Sequence, residues 1–141
     1  MEYMPGRLPE GWTPKQLRPL NKLIAEKVMG WRGLEWLEAS CDVIGIRIYS
    51  GWYGEGPNGE SHLRHSFCTD ISAAWLVVVR LNDLGYNVSV TRYTNTLSGC
   101  RLQKRRSGQV TEVEEVDGTT EPLAICLAAA KALGLEVPTD A

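Results

Sequence analysis

The sequence predicts an α+β protein, a three-layer α/β/α sandwich with a four-stranded mostly antiparallel sheet. Three observations predict it. Apolar residues recur at helical spacing in three stretches, around 20–28, 71–81 and 123–133. Four other stretches alternate apolar and polar residues, as half-buried strands do. Three amphipathic helices must each bury a stripe, and a four-stranded sheet offers two faces for them.

The elements follow in order. The first twelve residues carry Pro5, Gly6, Pro9 and Gly11 and read as an extended arm on a single domain spanning 1–141. Thr13 and Pro14 form a cap-plus-first-turn signature, and Pro19 moves the expected start of the regular helix to residue 19 or 20. Leu20, Leu23, Ile24, Lys27 and Val28 then mark one helix face, and Gly30 offers a left-handed stop. Trp31 and Trp36 can seal this helix against the sheet. In "DVIGIRIYS" Ile44, Ile46 and Ile48 alternate with Gly45, Arg47 and Tyr49, which predicts a strand. "GWYGEGPNGESHLRH", residues 51–65, holds five glycine or proline residues and reads as a long loop, of a length that in compact domains is functional or disordered.

Thr69 or Asp70 caps the second helix, whose expected apolar stripe is Ile71, Ala74, Trp75, Val78 and Leu81, with Gly85 as its stop. Trp75 falls on that stripe and is expected in the core. "YNVSVTRYT", "GCRLQKR" and "QVTEVEEV" form an antiparallel meander, the last two joined across a Ser107–Gly108 turn. The third helix has a Thr cap, Pro122 in its first turn, a face of Leu123, Cys126, Leu127, Ala130 and Leu133, and Gly134 as its stop.

Composition narrows the function classes. A chain of 141 residues with 43% hydrophobic content can build a core without staples, and a net charge of −2 provides no global field to hold a nucleic acid polymer or an anionic membrane. No apolar run is long enough to span a bilayer and "MEYMPGRLPEGW" lacks the halves of a signal peptide, so a soluble protein is expected. Cys41, Cys68, Cys100 and Cys126 form no CxxC pair and are expected to be reduced, with Cys126 as a small core residue. His62, His65 and Cys68 stand at three-residue spacings and are zinc-competent types, but a fourth ligand is not evident, so neither a metal nor a cofactor is expected.

Three blocks, "LNKLIAEKVMGW" at 20–31, "TDISAAW" at 69–75 followed by "LNDLGYNVSV", and "TEPLAICLAAAKALG" at 120–134, together resemble the phage ABA-sandwich domain family of small phage and prophage proteins. The resemblance implies the layered fold already derived. It also implies the role of the family's functionally described members, the Thoeris anti-defence sponges. These are non-enzymatic homo-oligomers that bind the cyclic ADP-ribose isomer made by bacterial TIR-domain proteins and keep it from its effector. Some also hold cyclic oligonucleotides in separate pockets. For this chain the resemblance implies a dimer or hexamer acting in the cytoplasm of the bacterial host.

The residues themselves can supply such a site. A cyclic ADP-ribose isomer presents an adenine face, two riboses and a doubly charged pyrophosphate. It calls for an aromatic platform, donors to ribose hydroxyls and cationic forks on phosphate. Candidate ligand-binding residues are Trp52, Tyr53, His62, Arg64, His65, Arg92, Tyr93, Asn95, Arg101 and Arg105. Adjacent aromatics at Trp52 and Tyr53 in a glycine-rich segment have no periodic reason to be buried, and suit a pocket wall or an oligomer interface. Arg101 and Arg105 face the acidic "EVEEVD", so cross-strand charge pairing also accounts for them. His62 and His65 can contact phosphate or serve as a general acid and base, which keeps a small cyclic nucleotide phosphodiesterase as an alternative. A module that blocks a host factor through Trp52 and Tyr53 is another. No Walker loop, Gly-x-Ser-x-Gly or paired-acid motif is present.

Overall fold

The computed structural model describes residues 14–38, 40–41, 47–48, 50–95, 97–106 and 109–136. The expected arm at 1–12, most of the expected strand at 42–50 and the Ser107–Gly108 turn lie outside the described residues. Among the described residues, three helices, α1 (Pro14–Lys27), α2 (Ile71–Asp83) and α3 (Glu121–Ala132), combine with eight strands. The strands are β1 (Arg32–Leu37), β2 (Ser40–Cys41), β3 (Arg47–Ile48), β4 (Gly51–Glu55), β5 (His62–Leu63), β6 (Tyr86–Thr94), β7 (Leu97–Arg106) and β8 (Gln109–Gly118).

Helix α1 begins at Pro14 and runs through Pro19, ahead of the expected start. Pro19 is the sixth residue of the helix, in its second turn, so it costs the intrahelical bond to the Lys15 carbonyl and its ring crowds that carbonyl. Leu17, Leu20, Ile24 and Ala25 are buried from this helix, and Val28 just after it. Gly30, at φ 87°, turns the chain so that the Trp31 amide reaches the Ala25 carbonyl at 3.0 Å.

Of the two capping alternatives for α2, Asp70 is the one used: its carboxylate accepts from the Ser72 amide at 2.9 Å. The helix buries Ala73, Ala74, Val77, Val78 and Leu81, and Trp75 is 55% exposed. The expected stripe is therefore rotated by about one residue. The seam runs along 74, 77, 78 and 81, whose small side chains let α3 approach, and that rotation carries Trp75 out to solvent.

Helix α3 starts at the Thr120 cap, whose hydroxyl accepts from the Leu123 amide, and lies across β7 and β8 with α2 at its side. Leu123, Ala124, Ile125, Cys126, Ala128, Ala129 and Ala130 are at most 1% exposed. It is a central helix with little polar face, and its alanines allow close approach. A Cβ on Gly118 would lie 2.9 Å from the Ala124 amide nitrogen.

Strands β6, β7 and β8 form the expected antiparallel meander, in order and in register, with Val88 opposite Leu102 and Arg101 opposite Glu115. One face, carrying Tyr86, Val88, Val90, Cys100, Leu102 and Val116, joins the core. The other exposes Ser89, Thr91, Arg101 and Glu115.

Two expectations are corrected. The described sheets are two three-stranded antiparallel sheets, β6–β7–β8 and β1–β4–β5, with a two-stranded β2–β3 ladder, instead of one four-stranded sheet. Residues 47–48 of the expected first strand pair with 40–41, not with the meander. The fold is α+β and a layered sandwich still fits it.

The second correction concerns 51–65, which is a β-hairpin and not a loop. β4 pairs with β1 on one side and β5 on the other, with Trp52 between Trp36 and Leu63, and Tyr53 between Glu35 and His62. The glycines that suggested a loop are there for close contact. A Cβ on Gly54 would lie 2.7 Å from the Arg32 carbonyl oxygen, and one on Gly51 would lie 2.7 Å from His62 Nε2. The turn closes through the Gly56 amide to the Glu60 carbonyl at 2.8 Å, with Gly59 at φ 87°.

Candidate ligand cleft between the first helix and the hairpin sheet

Alternation along β1, β4 and β5 sorts the aromatic side chains onto two faces. Trp36, Trp52 and Leu63 share the face toward α1, and Glu35, Tyr53 and His62 share the other. On the first face Trp36 and Trp52 meet edge to face, with centroids 5.4 Å apart and planes at 79°. On the second, Tyr53 and His62 stack at 4.3 Å and 9°, with the imidazole filling the space above Gly51.

A cleft of about 340 Å³ opens between α1 and the first face. Leu17, Arg18 and Asn21 line it from the helix, and Trp36, Trp52 and the segment from Leu63 to Ser66 line it from the sheet side. The segment is held in place by Asn21, which uses both ends of its amide: Nδ2 donates to the His65 carbonyl at 3.0 Å, and Oδ1 accepts from the Phe67 amide at 2.7 Å. Just beyond, Phe67 is 1% exposed and anchors the segment in the core, an aromatic burial that contributes about 2–3 kcal/mol.

The cleft is cationic. The Arg18 guanidinium lies 3.9 Å from the Trp36 ring centroid and Lys22 Nζ lies 5.4 Å from that of Trp52. Among the described residues, ion pairs are formed by Arg32 with Glu55 and by Arg92 with Glu121, and neither Arg18, Lys22 nor Arg64 pairs with a carboxylate. Glu38 is engaged elsewhere, accepting from Trp36 Nε1 at 2.9 Å and so fixing that indole. Trp52 Nε1 is buried with no acceptor among the described residues. A buried donor without a partner is rare in native structures, and it leaves this wall unsatisfied by the protein alone.

The sequence-nominated residues divide between two regions. Trp52, Arg64 and His65 line the cleft, while Tyr53 and His62 occupy the far face of the same sheet. Arg92, Tyr93, Asn95, Arg101 and Arg105 belong to the meander or its first turn, and none of them lines the cleft. Arg92 forks onto Glu121, with Nε to Oε1 at 2.5 Å and Nη2 to Oε2 at 2.7 Å. The pair raises Arg92 above its usual value and holds Glu121 below the usual carboxylate range, chiefly through these hydrogen bonds. Tyr93 lies over Gly99, where a Cβ would come within 2.8 Å of its ring, and its hydroxyl donates to Glu115 at 3.5 Å. Asn95 is exposed, Arg101 is exposed opposite Glu115, and Arg105 stands opposite Val110 with its side chain outside the described set.

Arg18, Asn21, Lys22 and Trp36 were not among the nominated residues. Their signal in the sequence was the polar half of the first helix, where Arg18 and Lys22 stand four residues apart on one side. It became legible as a site only when β1 was placed beneath it.

The zinc-competent trio does not converge. His62 stacks on Tyr53, His65 is exposed near Phe67, and Cys68 is fully buried. Among the described residues, no group of three or more His, Cys, Asp or Glu side chains is placed to hold a metal ion. Cys68, Cys100 and Cys126 are free thiols of the core; Cys126 Sγ donates to the Phe67 carbonyl at 3.2 Å. Burial pushes the Cys100 thiol up to about 12 and raises Cys126 as well, with Cys68 adding to the latter. Among the described residues, no helix is long and apolar enough to cross a membrane.

No curated protein and no solved structure matches the chain. Residues 22–130 match the family described as the phage ABA sandwich domain. That span runs from the second half of α1 to the end of α3 and includes both three-stranded sheets. A match over most of the chain, on a fold of three helices and two antiparallel sheets, makes this a phage protein of the phage ABA sandwich domain family.

Proposed function

We propose that the chain is an anti-defence sponge that binds a cyclic ADP-ribose isomer made by a bacterial TIR-domain protein and sequesters it, in the host cytoplasm, without breaking a bond. Family membership supports the class of protein, and one observation carries the ligand class: a cleft with two indoles and two cations, Arg18 and Arg64, in its wall, and with Lys22 beside it over the Trp52 ring, whose charge no described carboxylate consumes. A pyrophosphate needs cations of that kind, whereas the Arg92 guanidinium is already committed to Glu121. The placement of His62 and His65 favours binding over turnover. They do not face a common point, because Leu63 turns into the cleft and His62 turns away from it.

Calorimetry with cyclic ADP-ribose isomers tests the reading. Binding at micromolar ligand, with the same ligand recovered intact after heat denaturation, is the expected result. No heat with any isomer, or recovery of a hydrolysed product, ends it.

A second reading concerns assembly. Trp75, Leu76 and Val79 are 55%, 40% and 49% exposed on the outer side of α2, whose inner side is already buried in the core. Three neighbouring large apolar side chains left exposed on one helix form a patch that suits an interface, and we assign this face to contact with a second copy of the chain. Light scattering checks it: Trp75→Ser lowers the molar mass of the particle if the face is the contact, and leaves it unchanged if another surface is used.

A further inference from the structure

We infer that the cleft between α1 and the hairpin sheet is a site for a nucleoside monophosphate unit, and that Arg18 is a gate residue that leaves the Trp36 ring to hold the phosphate when the base arrives. The inference rests on the cleft described above but not on the ligand being cyclic.

The argument begins with size. At about 340 Å³ the cleft is at the small end of the range for ligand pockets, ~300–1,000 Å³. One planar base with its sugar and phosphate fills that space, so a larger cyclic nucleotide would seat one such unit in the cleft and leave the rest at its open mouth. Next comes the state of the wall. The Trp36 ring is covered by a guanidinium at 3.9 Å, and the Trp36 indole is fixed from its other end by Glu38. Arg18 and Trp36 are both half-buried; a base stacked on an indole at least equals such a cation–π contact, and a guanidinium binds a phosphate more strongly than it binds a ring face. A nucleotide therefore gains twice by displacing Arg18, once through its base on the vacated ring and once through its phosphate on the freed guanidinium. Arg64 lines the same opening and Lys22 lies over the neighbouring Trp52 ring, both without a carboxylate partner among the described residues, and they supply further charge.

This arrangement separates a nucleotide from a nucleoside in a way that ordinary pocket lining does not. Adenosine must displace Arg18 without offering it a phosphate, so Arg18 works against the nucleoside and for the nucleotide. In Arg18→Ala the ring is open to both, and the preference collapses.

The experiment is a tryptophan fluorescence titration of the full chain with AMP and with adenosine. AMP is expected to quench and to bind at least tenfold more tightly than adenosine. Arg18→Ala is expected to weaken AMP about tenfold while leaving adenosine unchanged or tighter, and Trp36→Leu to weaken both. Arg64→Ala, at an exposed position that cannot unfold the chain, is expected to weaken AMP alone. The proposal is overturned if AMP fails to bind in the millimolar range, or if Arg18→Ala weakens AMP and adenosine by the same factor. A cyclic ADP-ribose isomer that binds while AMP does not, and whose affinity is indifferent to Arg18 and Trp36, leaves sequestration standing at another site of the chain and ends this inference. AMP binding with the stated Arg18 signature, and no binding of any cyclic isomer, does the reverse.

Discussion

Replacing Asn21 by alanine tests whether the cleft's segment 64–67 is held by one side chain. Two hydrogen bonds are lost, each contributing about 0.5–1.5 kcal/mol. The Phe67 amide is partly buried and loses its acceptor, which adds a desolvation penalty of about 1–3 kcal/mol if no water reaches it. Against this, alanine is the better helix former, by ~0.5 kcal/mol at one position. The net is a destabilisation of about 2–3 kcal/mol, a large effect for a half-buried polar residue. Urea denaturation followed by circular dichroism measures it: with a slope of about 1–3 kcal/mol/M, the midpoint falls by roughly 1–2 M while the slope is unchanged. Ser89→Thr, on the exposed face of β6, serves as the control and stays within about 0.5 kcal/mol of the parent chain. If Asn21→Ala behaves like that control, the amide clamp is not what positions His65 and Phe67. Ligand binding should weaken in the same variant, because Arg64 and His65 sit on the released segment.

Three further outcomes are expected. Glu121→Gln removes the fork with Arg92 and costs about 1 kcal/mol, since Arg92 is half exposed; because the folded carboxyl titrates below its unfolded value near ~4.3, the difference between the two chains is full at neutral pH and shrinks as pH falls below that value, which paired urea melts at pH 7 and pH 3 will show. Gly54→Ala drives a Cβ against the Arg32 carbonyl and destabilises by about 1–3 kcal/mol, seen as a lower thermal midpoint, whereas a neutral result means that β1 and β4 are not in close contact there. In a Cys41→Ser background, Cys68, Cys100 and Cys126 stay unreactive to a thiol reagent until the chain is unfolded, because all three are fully buried and burial holds Cys100 and Cys126 protonated; prompt native labelling contradicts the core packing.

The sequence was most legible where one physical signal acted alone. The meander, the Thr120 cap and the left-handed stops at Gly30, Gly85 and Gly134 follow from alternation, capping chemistry and positive φ, and the structure repeats each of them. It misled where one residue type serves two physical ends. Glycine marks loops because it is permissive, and it marks strand contacts because it is small; at Gly51 and Gly54 the second reason applies, so a hairpin looked like a loop. Trp75 shows another limit. A periodic pattern fixes the width of a stripe better than its rotation, and a one-residue rotation moved the largest side chain of α2 from the core to solvent. The cleft was half legible: Trp52, Arg64 and His65 could be picked by type, but Arg18, Lys22 and Trp36 depend on β1 and α1 being neighbours, a long-range pairing that no local window carries.

The alanine-rich stretch of α3 has its own consequence. With Ala124, Ala128, Ala129 and Ala130 wholly enclosed and Gly118 pressed onto the Ala124 backbone, the interior is tuned for nearness and has little bulk to lose. Mutational tolerance here is narrow in both directions, because trimming an alanine to glycine costs about 1 kcal/mol of helix propensity and a single added methyl group must push whole layers apart. Drift along this helix is confined to swaps of equal size, however freely the surface around it varies.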